Sequence, residues 1–362
     1  MTRVLHVTEC YSAGVGHAID SAVRIASGHE HHLLWAGGPV PSHQHFRSSE
    51  EMPDGLRNRI HSFRAAVARV KPDVVHAHSS WAGVYTRLFR MEVPIIYQPH
   101  AYKFVDLSAM PLLRVAYYLG EALLSRHTDA VVVLTPDEER HARRLNPLVP
   151  RRRVPNVATV RPSGGIMPRR TGVEHVVMTG RISPQKDPDF FVEVARRVRE
   201  LRSGTRFTWI GDGLDAPRER LEAAGVRVTG WLGASELAAE LASPMVYFHS
   251  ARYEGFPLSV LDAAAFGHPI VVRSIPAFVD TGLLGAGGAD EIARLLVDVL
   301  DDDGGRRRAA FAATDALNET MSEERQRAAL DRLYDHYGER ELVQERNENL
   351  HAGANRGPAG GR

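Results

Sequence analysis

The chain has 362 residues, and its 45 lysines and arginines against 44 acids leave no net charge to favour nucleic acid or bulk anionic lipid as a partner. Its length suits two domains, each able to bury a core of its own. One cysteine, Cys10, excludes an internal disulfide. No apolar run approaches the ~20 residues of a membrane span, and the N-terminal run is too short and interrupted for a signal peptide, so a cytoplasmic protein is expected. Strand signals follow in chain order at 4–8, 32–36, 74–77, 94–97 and 130–134, with helical stretches such as 56–70 and 112–125 between them. The same scheme returns with strands at 175–178, 206–210, 226–229, 246–248 and 270–272. Strictly alternating strands and helices predict an α/β fold of parallel sheets with ligands at the strands' carboxyl ends. We therefore expect one doubly wound domain over 1–154, a linker rich in Pro, Gly and Arg over 155–172, and a second doubly wound domain over 173–320. A helix follows over 321–338. The polar tail 339–362 cannot bury a core and is expected to be disordered.

Two loops after strands carry the chemistry. In the first, Gly180 and Arg181 follow a strand and Lys186 precedes Asp187, an N-cap residue, and Pro188, a first-helical-position residue. Two cations at a strand end, with no acid between them, suit a diphosphate. In the second, a strand ending at Phe248 gives way to Glu254, Gly255, Phe256 and Pro257, and a helix is expected from Pro257 to Phe266. Its free first-turn N–H groups, around Leu258, Ser259 and Val260, suit an anionic phosphate. Asp262, about one turn on, is placed to accept hydrogen bonds from sugar hydroxyls. A nucleotide-sugar site is the natural reading.

Elsewhere the signals are weaker. Gly14 and Gly16 follow the first strand and permit close backbone approach, but Ile19 breaks a G-x-G-x-x-G dinucleotide fingerprint. The chain holds 18 histidines, including His76 and His78 at a strand end and His29, His31 and His32 before another. No convergent fourth ligand can be assigned, so no metal is expected.

The segment EGFPLSVLDAAAFGHP resembles the E-x7-E signature of retaining glycosyltransferases of family 4, which have the GT-B fold of two Rossmann-like domains across a cleft. Gly180, Arg181 and Lys186 match the family's G-R-x-x-x-x-K pattern. The resemblance implies that Arg181 and Lys186 hold the donor diphosphate, Glu254 the transferred sugar, and Asp262, where the family has Glu, the ribose. It places Gly14 and Gly16 under the donor phosphates, His100 beside the transferred sugar, and a last helix crossing back to the N-terminal domain. The glycine-rich stretch usual after the last strand is replaced by residues 273–289. The activity implied is metal-independent transfer of a hexose from a UDP, GDP or ADP sugar, without a separate cofactor. The acceptor is a glycan, a lipid-linked sugar or a small molecule, as in cell-surface polysaccharide synthesis. Arg57, Arg59, Arg64, Arg69 and Lys71 offer a weak contact to the inner face of the membrane. The rival readings are an inactive nucleotide-sugar-binding subunit and a non-hydrolysing sugar-nucleotide epimerase.

Overall fold

The protein is described here by a computed structural model over residues 1–38, 44–163, 173–302 and 305–354, with residues 339–354 given by their backbone alone. Its first sheet contains β1 (Arg3–Thr8), β2 (Glu30–Trp35), β3 (Ser48–Glu51), β4 (Val74–His78), β5 (Ile95–Gln98), β6 (Ala130–Val133) and β7 (Arg151–Arg153). The second contains β8 (His175–Thr179), β9 (Arg206–Ile210), β10 (Arg227–Val228), β11 (Val246–His249), β12 (Ile270–Arg273) and β13 (Leu284–Ala286). The orders are β3-β2-β1-β4-β5-β6-β7 and β10-β9-β8-β11-β12-β13, and every pairing between these strands is parallel. Central strands such as β4, β6 and β11 are buried along their whole length, as a parallel sheet covered by helices on both faces requires. In each sheet the order reverses beside the first strand, between β1 and β4 and between β8 and β11. Neighbouring crossovers diverge there and open a crevice at the carboxyl ends.

Two doubly wound parallel sheets with flanking helices are what the alternation predicts. The sequence reading misses three strands: β3, β7 and β13, which close sheet edges. Of the expected linker, residues 164–172 lie outside the described residues.

The last helix, Glu323–Ala354, returns to the first sheet. Leu330, Leu333, Tyr334 and Tyr337 form one core with Val4, Val74, Ile96, Ala130 and Val132. Hydrogen bonds anchor it: His76 Nδ1 and the Tyr334 hydroxyl are 2.9 Å apart, and Tyr337 donates to the Asp129 carbonyl at 3.0 Å. Arg24 pairs with Glu323 at 2.8 Å where the helix begins. The helix does not end at 338 as expected. It continues through a run that holds four Glu, two Arg and two Leu, good helix formers, without an apolar stripe. Among the described residues no helix is long and apolar enough to cross a membrane.

Tyr334 tests the returning helix. Tyr334→Phe, which loses only the hydroxyl contact to His76, is expected to cost about 0.5–1.5 kcal/mol. Tyr334→Ala, which opens a cavity against the first sheet, is expected to cost about 3–5 kcal/mol. Denaturant unfolding followed by a probe in the first half reads both.

Candidate active site

At the switch point of the second sheet, the loops after β8 and β11 are tied together. Lys186 Nζ lies 2.5 Å from Glu254 Oε1, His249 Nε2 lies 3.2 Å from the same oxygen, and Gln185 donates to Glu254 Oε2 at 3.2 Å. Backbone bonds close the seam, from Arg252 N–H to the Gln185 carbonyl at 2.9 Å and from the Ser250 hydroxyl to the Lys186 carbonyl at 2.7 Å. Burial pushes the Glu254 carboxyl up, but Lys186 and His249 outweigh it and hold it down at about 2. Glu254 is therefore a fixed anion at neutral pH. The sequence places Glu254 and Lys186 on separate loops, and the fold makes them an ion pair.

Arg181, beside this pair, is exposed and makes no hydrogen bond or ion pair among the described residues. Its guanidinium is available for an anionic ligand. Asp187 caps the helix Pro188–Leu201 by accepting from Phe190 N–H, as expected, and also bonds Arg252 and Arg273, each at 2.7 Å. The helix after Glu254 is Leu258–Ala265, with Pro257 at its N-cap, one residue later than expected. Leu258 and Ser259 at its start are partly exposed.

Asp262 is tied to the segment that leaves the first sheet. It is buried, and its Oδ1 accepts from Thr159 N–H at 2.6 Å and Val160 N–H at 3.2 Å. The Thr159 hydroxyl lies 3.0 Å from both carboxylate oxygens. The carboxylate thus clamps the chain leaving the first sheet. Its short stem holds it beside these backbone donors. Burial raises its pKa to about 6, against the opposing pull of the Thr159 and Val160 donors.

The first half meets this site through His100. His100 and Ala101 have φ of 51° and 85°, a left-handed conformation that costs a non-glycine residue about 1–3 kcal/mol. Glu138, unremarked in the sequence, holds the turn: its Oε1 accepts from Ala101 N–H at 2.9 Å and its Oε2 from Leu134 N–H at 2.7 Å. Gly255 abuts the same turn. A Cβ there would lie 3.0 Å from Ala101 N and 3.1 Å from His100 C, so glycine allows the halves to approach. Asn156 donates to the Phe256 carbonyl at 3.1 Å and strengthens the junction.

Gly14 and Gly16 lie within the first turn of the helix Ala13–Ile25, after Ser12, and not in a free loop. Gly14 is exposed with open space around it, whereas Gly16 packs on Tyr11. A tighter glycine constraint sits at Gly38, where a Cβ would fall 1.7 Å from the Tyr11 carbonyl oxygen. The switch point of this sheet is marked by Glu9, which accepts from Trp81 and Ala82 N–H, at 3.2 and 2.8 Å, at the start of the helix Ser80–Arg87.

Behind His100 runs a chain of buried imidazoles. His31 Nε2 lies 2.9 Å from the Ala26 carbonyl, His31 Nδ1 is 3.0 Å from His6 Nε2, His6 Nδ1 is 3.0 Å from His78 Nε2, and His78 Nδ1 is 3.2 Å from His100 Nε2. Burial lowers all four pKa values, His31 and His100 to about 4, so the rings are neutral near pH 7. A carbonyl only accepts, so His31 must carry its proton on Nε2. Each later ring must then donate from Nε2 and accept at Nδ1, which leaves the His100 Nδ1 lone pair free. The fold fixes a tautomer through four side chains from four strand regions. His6, His76 and His78 also bring ring nitrogens within 4.8 Å of one another, a spacing that suits a cation. The nitrogens of His6 and His78 are committed to the relay, and within this trio only His76 Nε2 is buried without a hydrogen-bond partner.

Comparison with known proteins follows the same division. A family described as glycosyl transferase 4-like domain matches residues 2–157, and one described as glycosyl transferases group 1 matches residues 173–302. A protein of the cps region of Klebsiella pneumoniae is 26% identical over 252 residues, covering 64% of this chain and 69% of its own. The D-inositol 3-phosphate glycosyltransferase of Geodermatophilus obscurus is 30% identical over 267 residues, covering 62% of this chain and 58% of its own. The structure of Anabaena HepE in complex with UDP and glucose superposes with a TM-score of 0.73 at 13% identity, over 93% of this chain and 100% of its own. That last likeness establishes the GT-B fold.

Two measurements check this geometry. Nitrogen-15 imidazole spectra should show His100 protonated on Nε2 alone, and His6→Phe, which cuts the relay, should give His100 a mixture of tautomers. Asp262 supplies a pH test. An acid whose pKa rises on folding holds its proton more tightly when folded, so its stabilising effect is full below the ordinary aspartate value of 3.8 and lost as pH rises through about 6. Asp262→Asn should remove about one proton's worth of that slope from denaturant midpoints measured across this window.

Proposed function

The chain belongs to the glycosyl transferases group 1 and is a glycosyltransferase; from that premise we propose that it moves a hexose from a nucleotide-diphosphate sugar to an acceptor hydroxyl with retention of configuration. The observation that carries the proposal is the Lys186–Glu254 pair at the switch point of the second sheet, with Arg181 unpaired beside it and the His100 turn of the first half against Gly255. Each group has a task in such a reaction.

Arg181 and Lys186 bind the donor diphosphate. As the bond from the anomeric carbon to the diphosphate oxygen breaks, negative charge grows on that oxygen. Fixed cations then stabilise the transition state more than the ground state. The partly exposed start of the helix Leu258–Ala265 adds its N–H groups on the same side. Glu254, ionised and locked by Lys186, His249 and Gln185, accepts hydrogen bonds from hydroxyls of the transferred sugar. His100, with an accepting Nδ1, takes a hydroxyl proton on the opposite wall in a hydrogen bond. The acceptor oxygen bonds to the anomeric carbon from the face the diphosphate leaves, and its proton passes to the departing phosphate oxygen. No metal is needed in this scheme, because the protein's own cations meet the leaving-group charge. The His100–Ala101 and Gly255–Phe256 contacts exclude water from between the halves.

A uridine diphosphate sugar is the donor to test first, since HepE was solved with UDP and glucose. The relative from the Klebsiella cps region favours a place in cell-surface polysaccharide synthesis. Asp262 is given no ribose contact in this scheme, since Thr159 and Val160 occupy its carboxylate.

Calorimetric titration with UDP, GDP and ADP tests the donor site. One nucleotide should bind selectively, and Arg181→Ala should weaken it about tenfold or more. Glu254→Gln should keep that binding while lowering turnover by about 10²–10³-fold, the usual cost of losing one preorganised polar group. Binding of none of the three nucleotides to the parent protein rules the proposal out.

A further inference from the structure

The helix Pro111–Leu124 is turned inside out with respect to water. Its one carboxylate, Glu121, is buried, bonded to Arg87 at 2.9 Å and to the Tyr97 hydroxyl at 2.8 Å. Arg114 donates to the Phe104 carbonyl at 2.9 Å. Facing outward at intervals of three and four residues are Leu112, Val115, Leu119 and Leu123, each between 56 and 84% exposed. Leu107 and Met110, in the loop before, are 58 and 71% exposed. That spacing puts the four helical residues on one stripe, and no charged residue interrupts it. Single exposed leucines need no explanation, but a continuous apolar stripe of this length marks a surface that binds something.

The rim of the stripe identifies what. Between residues 107 and 126 the only acid is the buried Glu121. Arg126, in the turn that ends the helix, is exposed. Asn146 donates to the Ser125 carbonyl at 3.4 Å, which brings the exposed Arg143, Arg144 and Leu148 to the same end. An apolar stripe with a cationic rim is the pattern of a helix lying in the plane of an anionic bilayer. A second copy of the chain fits less well, because a two-fold interface sets this cationic rim against itself. The basic helix Leu56–Val70 offers less than its composition suggests. Arg59 bonds the Tyr85 hydroxyl at 2.9 Å, Arg64 lies over the Phe89 ring at 4.6 Å, and Arg69 pairs with Glu50.

We propose that the helix Pro111–Leu124, with Leu107 and Met110, seats the first half of the protein on the surface of an anionic bilayer. The face lies next to the active site, since the turn Lys103–Val105 that Arg114 grips follows His100 and Ala101 directly. A lipid-carried acceptor is thereby brought to the His100 side of the cleft. This last clause rests on the glycosyl-transfer reading above, and the docking itself does not.

The test is co-sedimentation of the full chain with vesicles of phosphatidylethanolamine and phosphatidylglycerol, and separately with vesicles of phosphatidylcholine alone. The protein should bind the anionic vesicles and bind phosphatidylcholine more weakly. The triple variant Leu112→Gln, Leu119→Gln, Leu123→Gln should lose about tenfold or more of the binding. Its UDP titration should match the parent's, which shows that the cleft is intact. A parent that stays in the supernatant with both vesicles overturns the inference, and so does a triple variant that binds as the parent does. A concentration-dependent dimer in sedimentation velocity, abolished by the triple variant in a protein that ignores vesicles, assigns the face to a second copy instead. Failure of the parent to bind UDP counts against the donor site and leaves the vesicle result to stand by itself.

Discussion

Glu254 is an ionised carboxylate with almost no water around it, and that condition organises the site. A buried charge without partners is expensive enough that the group normally takes up a proton. Here Lys186, His249 and Gln185 keep it charged, and they come from two places: Gln185 and Lys186 from the loop after β8, His249 from the end of β11. Meeting the demand of one carboxylate therefore fixes the two loops against each other. The Ser250–Lys186 and Arg252–Gln185 bonds follow from that alignment.

Much of the architecture was legible. Each central strand announces itself as a short apolar run, since a parallel sheet buries both faces of its strands. Three edge strands were not, and for two of them the reason is visible in their composition. Ser48 to Glu51 and Arg151 to Arg153 carry no apolar residue, because an edge strand needs only backbone partners and can keep its side chains in water. At the candidate site, loop chemistry pointed to Arg181, Lys186 and Glu254 because the motifs that carry them are local in sequence. Glu138 and the imidazole chain escaped notice because they are defined by contacts between distant strands. His6, His31, His78 and His100 look like unrelated strand residues until β1, β2, β4 and β5 are laid side by side. The bonds of Asp262 to the Thr159 and Val160 N–H groups were equally hidden, because they join residues about a hundred positions apart.

The junction between the halves combines hard and soft contacts. Gly255 against Ala101 leaves little room for a side chain, and Glu138 holds the left-handed His100–Ala101 turn by a hydrogen bond. The Asp262 clamp, by contrast, rests on hydrogen bonds to a carboxyl that titrates at about 6. The first holds the two loops to a fixed distance, whereas the second anchors the chain segment that joins the sheets. Positioning and connection are thus assigned to different residues.

The return of the C-terminal helix bears on how the chain comes into being. Domains made early in synthesis commonly finish folding while the remainder is still on the ribosome. This first half cannot, because Leu330, Leu333, Tyr334 and Tyr337 complete its core against Val4, Val74 and Ile96. Until residue 337 has emerged, that face of the nascent sheet lies bare, with His76 lacking its tyrosine partner. The second half is able to mature first, and the earliest-made half is the last to close.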